Sequence, residues 1–584
     1  MKDITLNTQR APNSHTPSIL SALPTAAYPA LLIAFVVFFL APLGAHGLWI
    51  PDETRYAQAA QELLQSGNWA APHFMGLRYF EKPIGGYWLI AIGQALFGDN
   101  LFGVRIASAL TSAATVGLIW LLGRRLWNDA WKTWTASLLY MSFGLAAGQA
   151  GYANIDPQLT LWITLSLVAC WFALEGDTSR ERWAGWGMLG VACAMGFMTK
   201  GFLAWLLPVI VVAPYVVLHK RWRELLKGGP LAILLAVLLS LPWAILVHQR
   251  EADFWQFFFW NEHIRRFAGT HAQHAAPFWF FVPLLFAGAL PWALLVVPSL
   301  RRAWRERKER RIAYLSLWFA MPFLFFSLSK GKLPTYILPC FVPLALLMAN
   351  TLVDKLRQSD LLAVTRNGLL NLVLGGATLL GLIVIQVVHP VYSHQPLQIA
   401  MALVVCLAWA ACGFIQWKRP ANYWFAPALG LWVLVALLPA AMPQSVVDNK
   451  MPDQFIASHL DALKQSRSLL SNELGAASAL AWRLNRSDVT LLDVQGELQY
   501  GLAYPDAADR RVTTDNMAQW LAQHTEQGPV GIVLSLSAKS GGTLPAWIPP
   551  GAEVFRENNL LIVIAKAQGP QLAPANVTPN APAG

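Results

Sequence analysis

Apolar residues fall in long blocks along most of this chain, separated by short polar connections. The blocks lie near 28–44, 101–123, 133–148, 157–174, 183–198, 201–218, 230–247, 277–300, 312–328, 335–352, 368–388, 397–417 and 423–442. Most approach the length of about 20 residues with which a helix crosses a hydrocarbon core, so the pattern predicts about 13 transmembrane helices. Two stretches inside residues 28–449 break the rule and keep charge: 48–100 and 248–276, read as loops on one side of the membrane. After residue 449 the pattern changes. Within 450–567, helical periodicity at 454–464 and 514–527 alternates with strand-like runs at 489–494, 530–536, 552–556 and 560–565. The expected fold is an all-α polytopic membrane protein with a small C-terminal α/β domain. Residues 1–27 are polar and lack both a lysine-rich start and a small-residue cleavage site, which predicts a cytoplasmic tail ahead of a retained first span. Residues 568–584, rich in Pro, Ala and Asn, are expected to be disordered.

Composition sharpens this reading. With 55% hydrophobic and 13% charged residues over 584 positions, the chain is too apolar for an ordinary soluble enzyme. The five cysteines, Cys170, Cys193, Cys340, Cys406 and Cys412, sit in or beside apolar blocks without a CxxC pair, and read as small buried hydrophobes. A net charge of +11 raises the question of nucleic acid, but much of it lies in short connections. Those at 124–132, 180–182, 220–227, 301–311, 355–366 and 418–419 alternate correctly to share one side, which the positive-inside rule makes cytoplasmic. The charge therefore reports topology, with no nucleic-acid partner expected. An odd number of spans then puts the C-terminal domain outside.

The opposite loops should be poor in basic residues, yet they keep Arg55, Arg78, Lys82, Lys200, Arg265, Arg266, Lys330 and Lys332. Retention against that bias points to an anionic ligand, most simply a phosphate. The plainer alternative is that these side chains pair with Asp52, Glu53, Glu81 and Glu262, or reach lipid headgroups. Residues 50–87 concentrate the chemistry. Asp52 and Glu53 follow the first span and Asp156 opens the fourth, so carboxylates are available to orient or deprotonate an acceptor. Basic residues are available to hold a departing phosphate, and aromatic segments such as 254–267 could line a lipid groove. Such a set suits transfer of a sugar from a lipid phosphate. Glu81 and His263 are competent ligands for a divalent metal, zinc or similar, although no ligand-spacing motif surrounds them; His263 could equally hydrogen-bond a carboxylate. A transporter or flippase would place ionisable groups in mid-span, whereas these cluster at one end. The C-terminal domain shows neither a glycine-rich phosphate loop nor metal spacing, and is assigned no chemistry.

Several longer motifs carry a resemblance. They are PDETRYA at 51–57, GLRYFEKPIGGYW at 76–88, LFGDNLFGVR at 96–105, MTKGFLA at 198–204, FFWNEHIRRFAG at 258–269, APFWFFVP at 276–283 and SKGKLPTYILP at 329–339. In this order the sequence resembles the aminoarabinose transferase (ArnT) family, GT-C glycosyltransferases related to protein O-mannosyltransferases; the C-terminal domain matches only in position and class. The resemblance implies transfer of 4-amino-4-deoxy-L-arabinose from undecaprenyl phosphate to lipid A phosphates, by a monomer in the inner membrane, with resistance to polymyxin and cationic antimicrobial peptides as the consequence. It implies Asp52 as the essential carboxylate with Asp156 as a second acidic site, and lipid-phosphate contacts at Lys82 and the basic residues near His263. Tyr79 and Tyr336 join the substrate-binding set, and a divalent ion would fall near Glu81 and His263. A GT-C enzyme using another polyprenyl-phosphate sugar, or a protein acceptor, is the nearest alternative.

Overall fold

The structure, a computed structural model, describes residue 20 and residues 23–265, 274–536 and 543–567, the side chains of 263–265 excepted. Among these residues eight helices are long and apolar enough to cross a membrane: Ala27–Gly44, Leu101–Trp127, Asp156–Glu175, Trp222–Arg250, Arg310–Leu328, Pro334–Arg357, Leu362–Val388 and Pro396–Lys418. Two bent pairs bring the number to at most ten, Phe281–Gly288 with Ala293–Arg305 at 112° and Ala426–Ala441 with Gln444–Lys450 at 83°. The expected count of about 13 is therefore not established by helix length. Blocks that read as full spans fold as shorter pieces, such as the Leu203–Leu218 helix. The block at 133–148 divides into the helices Ala130–Met141 and Gly144–Ala150. At that break the Trp292 indole donates to Ser142 Oγ at 2.9 Å and Gly144 N–H to the Leu290 carbonyl at 2.8 Å. Partners inside the protein satisfy the polar groups there, as an apolar surrounding requires.

The Pro334–Arg357 span forms the centre of the bundle, 94% buried over its apolar window, while Leu362–Val388 and Pro396–Lys418 are 17% buried and present most of their surface outward. These two outer helices pack through small residues. Added Cβ atoms at Gly368, Gly375 and Gly413 would meet Trp417, Ala410 and Leu372 backbone, so glycine is what permits the close approach. At one end of the bundle the basic connections knit together: Arg357 pairs with Asp129, Arg302 with Asp354 at 2.8 Å, and both Arg221 and Arg310 with Glu175.

The other end carries the irregular elements. Helix Asp52–Ser66 begins with two acidic residues, which favour a helix N-terminus, and stops at Gly67, whose φ of +64° suits a glycine past a helix end. Strands β1 (His73–Phe74) and β2 (Leu77–Arg78) make a small hairpin behind it. The C-terminal domain is seated on both. Its sheet runs in the order β5-β4-β3-β6-β8-β7, with β3 (Ser468–Ser471), β4 (Val489–Leu492), β5 (Arg511–Val512), β6 (Val530–Ser535), β7 (Glu553–Glu557) and β8 (Leu560–Ala565). The pairs β3–β4, β3–β6 and β4–β5 are parallel, whereas β6–β8 and β7–β8 are antiparallel. Strand β3 and the following helix Leu474–Leu484 are not among the elements expected from the pattern. β3 is only four residues long and almost wholly buried, so it shows no alternation, and the helix is buried nearly all round. That helix docks on Asp52–Ser66: Ser478 Oγ donates to Thr54 Oγ1 at 2.8 Å and Gln61 donates to the Trp482 carbonyl at 3.1 Å.

Candidate active site

Asp52 and Asp156 each stand at the first position of a helix, Asp52–Ser66 and Asp156–Glu175. Tyr56 lies in the field of both carboxylates, so the two belong to one cluster of charged side chains. The Asp52 side chain is 43% exposed and pairs with Arg55, while the Tyr152 hydroxyl approaches its other oxygen at 3.5 Å. Asp156 pairs with Lys200, whose ammonium stands 5.1 Å from the centre of the Tyr336 ring. The tandem acidic residues part company here. Glu53 is 0% exposed, and Arg105 binds both its oxygens, at 2.8 and 2.7 Å. Burial pushes its carboxyl up, but the Arg105 charge and hydrogen bonds reverse this and hold it below the ordinary carboxylate range. The catalytic role expected for Glu53 is thus corrected: its oxygens are occupied and no acceptor can reach them.

Lys82 forms the second pole. Its ammonium lies 3.3 Å from Glu262 and 3.6 Å from Glu81, and donates to the Glu81 carbonyl at 2.9 Å. A third carboxylate comes from the C-terminal domain. Glu497 pairs with Arg55 and accepts the Tyr79 hydroxyl at 2.7 Å. Burial raises its carboxyl, yet Arg55 and the hydrogen bonds from Arg55 and Tyr79 bring it below the usual range. Glu81 goes the other way. Burial first, then Glu497 and Glu262, hold its carboxyl above the ordinary value against the pull of Lys82. Near these charges, Arg55 Nε and the Tyr87 hydroxyl are both buried without a hydrogen-bond partner among the described residues. Buried polar atoms in that condition are uncommon and mark places where a ligand could supply the partner.

Not every basic residue of these loops joins this cluster. Arg78 joins the hairpin to its neighbours: it binds Glu251 at 2.8 Å and Asp506 at 2.7 Å and lies 4.2 Å from the centre of the Tyr504 ring. Two carboxylates and an aromatic face account for its charge, so it braces the hairpin against its neighbours. Lys332 is buried and donates to the carbonyls of Ala276, at 2.9 Å, and Ser329. Desolvation lowers its pKa, and it holds the Ser329–Lys332 turn to residue 276. Lys330 lies exposed in that same turn. The side chains of His263 and Arg265, and all of Arg266, lie outside the described residues.

The metal reading depends on the same gap. Among the described residues no group of three or more His, Cys, Asp and Glu side chains could hold an ion. Crowded carboxylates at Glu81, Glu262 and Glu497 favour a cation, but the Lys82 ammonium already stands beside two of them. A nitrogen donor would have to come from His263.

Glu497 was invisible to sequence reasoning, lying 442 positions from Arg55 in a domain that had been assigned no chemistry. Arg105 likewise sits inside a recognised motif with nothing local to give it a partner.

An apolar bundle whose one end gathers two acid-headed helices, a lysine and an arginine beneath a docked α/β domain is the architecture of a multi-span membrane protein with a charged site at its surface. A family model described as "Arabinosyl transferase ArnT, C-terminal domain" matches residues 447–564, and one described as "Dolichyl-phosphate-mannose-protein mannosyltransferase" matches residues 25–258. The chain is 54% identical over 554 residues to undecaprenyl phosphate-α-4-amino-4-deoxy-L-arabinose arabinosyl transferase 2 of Pseudomonas fluorescens, covering 95% of each. It is 56% identical over 544 residues to the arabinosyl transferase of Pseudomonas paraeruginosa, covering 93% of this chain and 98% of the relative. The chain belongs to the ArnT family of undecaprenyl phosphate-α-4-amino-4-deoxy-L-arabinose arabinosyl transferases. Its fold matches the crystal structure of ArnT from Cupriavidus metallidurans bound to undecaprenyl phosphate, with TM-score 0.77 and 22% identity over 94% of this chain and 100% of that one. The C-terminal domain is thus part of the family's own sequence pattern, which corrects the reading that it matched only in position and class.

Proposed function

We propose that this protein transfers 4-amino-4-deoxy-L-arabinose from undecaprenyl phosphate to phosphate groups of lipid A. It would act as a monomer on the periplasmic face of the inner membrane. The observation that carries the reading is the cluster of Asp52, Asp156, Arg55 and Lys82 at the end of the bundle opposite the basic rim, in a chain 56% identical to a transferase named for that donor. The acceptor phosphate oxygen attacks the anomeric carbon, the bond from that carbon to the donor phosphate oxygen breaks, and undecaprenyl phosphate leaves with the electron pair. Charge accumulates on the leaving phosphate, where the Lys82 ammonium is well suited to stabilise it. A lipid A phosphate is already anionic at neutral pH, so Asp52 orients the acceptor and accepts a proton where one is carried. The surplus of carboxylates around Glu81, Glu262 and Glu497 suits the ammonium group of the sugar, an excess that a neutral sugar would leave uncompensated. A divalent ion held by Glu81 and His263 would add positive charge beside the donor phosphate; metal analysis of the purified protein and of His263→Ala tests that part.

Mass spectrometry of lipid A from a host lacking its own transferase, with and without this chain, tests the whole reading. An added aminopentose on lipid A and higher survival in polymyxin are expected. Unmodified lipid A beside a glycosylated protein would instead support the protein-acceptor alternative, which the mannosyltransferase family match over residues 25–258 favours.

A further inference from the structure

Glu53 and Arg105 make a buried node that the chemistry proposed above does not use. Both side chains are 0% exposed. Besides Arg105, the Glu53 oxygens accept the backbone N–H of Ala153 at 2.8 Å and of Trp49 at 3.0 Å. The other Arg105 hydrogens go to the carbonyls of Leu43 at 2.7 Å, His46 at 2.9 Å and Gly47 at 2.7 Å. This single pair therefore joins the turn that leaves the first span, the start of helix Asp52–Ser66, the Leu101–Trp127 span and the turn that leads into Asp156. Glu53 is the neighbour of Asp52, and Ala153 lies three residues before Asp156.

Stability alone does not explain such a device. A buried ion pair is often no better than packed apolar side chains of the same volume, since desolvation offsets the attraction. A two-pronged guanidinium–carboxylate contact does add what apolar packing lacks, a fixed direction as well as a fixed distance. Asp52 and Asp156 each head a helix, so their side chains aim wherever the preceding turns aim those helices. Glu53 holds one helix start through its own backbone and the other through Ala153 N–H.

We propose that Glu53 and Arg105 are positioning residues for transfer, fixing the separation of the Asp52 and Asp156 carboxylates between which acceptor and donor must meet. The inference rests on the reading of those two residues as the acidic groups of the site. Displacement of reacting groups by about 1 Å can cost about a hundredfold in rate. Glu53→Asp keeps the charge but is one methylene too short to hold Arg105 and Ala153 together, and Arg105→Lys keeps the charge but loses the fork.

The test uses full-length protein purified in detergent: wild type, Glu53→Gln, Glu53→Asp, Arg105→Lys and, in parallel, Asp52→Asn. Transfer from undecaprenyl-phosphate-linked aminoarabinose to lipid A gives kcat and donor KM per folded molecule, and thermal unfolding gives Tm. The expected result for Glu53→Asp and Arg105→Lys is kcat lower by about tenfold to a hundredfold with donor KM within about twofold of wild type. A purely structural pair would lower Tm and yield while kcat per folded molecule held, and that result overturns the proposal. A rise in KM with unchanged kcat overturns it too, as does failure of all three node variants to fold, which would make the pair a stability element only. Asp52→Asn separates the two levels. If it stays active, the reading of the site itself falls; if it is dead while Glu53→Asp turns over normally, only the positioning role falls.

Discussion

Replacing Glu497 by Gln probes whether the C-terminal domain takes part in transfer. In the native protein Arg55 is shared by two carboxylates, Asp52 and Glu497, and the Tyr79 hydroxyl donates to Glu497 at 2.7 Å. The amide keeps the shape of the carboxylate and removes its charge. A hydrogen bond to a charged acceptor contributes about 1.5–3 kcal/mol, and Glu497 makes such bonds to both Arg55 and Tyr79. Arg55 is almost wholly buried and keeps its charge, so its remaining acidic partner Asp52 is drawn more tightly to it. Asp52 is then less available to the acceptor. If about 3 kcal/mol of this is felt in the transition state, kcat falls by about a hundredfold, since about 1.4 kcal/mol corresponds to tenfold. The assay is transfer from undecaprenyl-phosphate-linked aminoarabinose to lipid A by purified full-length protein, with Tm measured on the same samples. A folded Glu497→Gln protein with kcat within twofold of wild type would refute the reasoning and return the domain to a passive role.

Asp52→Asn, which keeps the helix start but removes the exposed carboxylate, is expected to abolish transfer by about a hundredfold or more while donor binding and Tm stay near wild type; near-normal turnover would remove Asp52 from its role. Lys82→Ala should raise donor KM by about tenfold or more, and unchanged donor affinity would show that its ammonium serves only Glu81 and Glu262. His46 tests the buried node through pH. Burial and the nearby Arg105 charge lower its pKa from 6.5 to about 4, so it stays neutral in the fold while the unfolded chain takes up a proton below pH 6.5. Its contribution to stability is complete above pH 6.5 and is lost as pH falls toward 4, up to about 3 kcal/mol. Wild-type Tm should fall across that window more steeply than that of His46→Gln, and parallel curves would contradict the assignment.

The apolar blocks, the basic rim and four of the six strands of the C-terminal domain were legible because each is a local property. Span length, charge bias and strand alternation are written in adjacent residues and need no knowledge of what lies across the fold. The motifs around Asp52, Glu81 and Lys82 likewise located one wall of the site. Helix breaks escaped detection, because whether an apolar block stays one helix depends on partners such as Trp292 for Ser142, 150 positions away. The roles of charged residues escaped for the same reason. Asp52 and Glu53 are neighbours in sequence and nearly equal in chemistry, and only the fold leaves one partly exposed and sends the other into a closed pair with Arg105. Arg78 and Lys332 share the charged loops with Lys82, and only the fold shows Glu251, Asp506 and two backbone carbonyls engaging them. Sequence determined which segments are apolar enough to enter a membrane and which charged groups flank them. Tertiary structure alone decided which of those charges are already paired and which stay open to a substrate, because pairing is set by distance in space, and Arg55 and Glu497 meet only after the chain has folded back on itself.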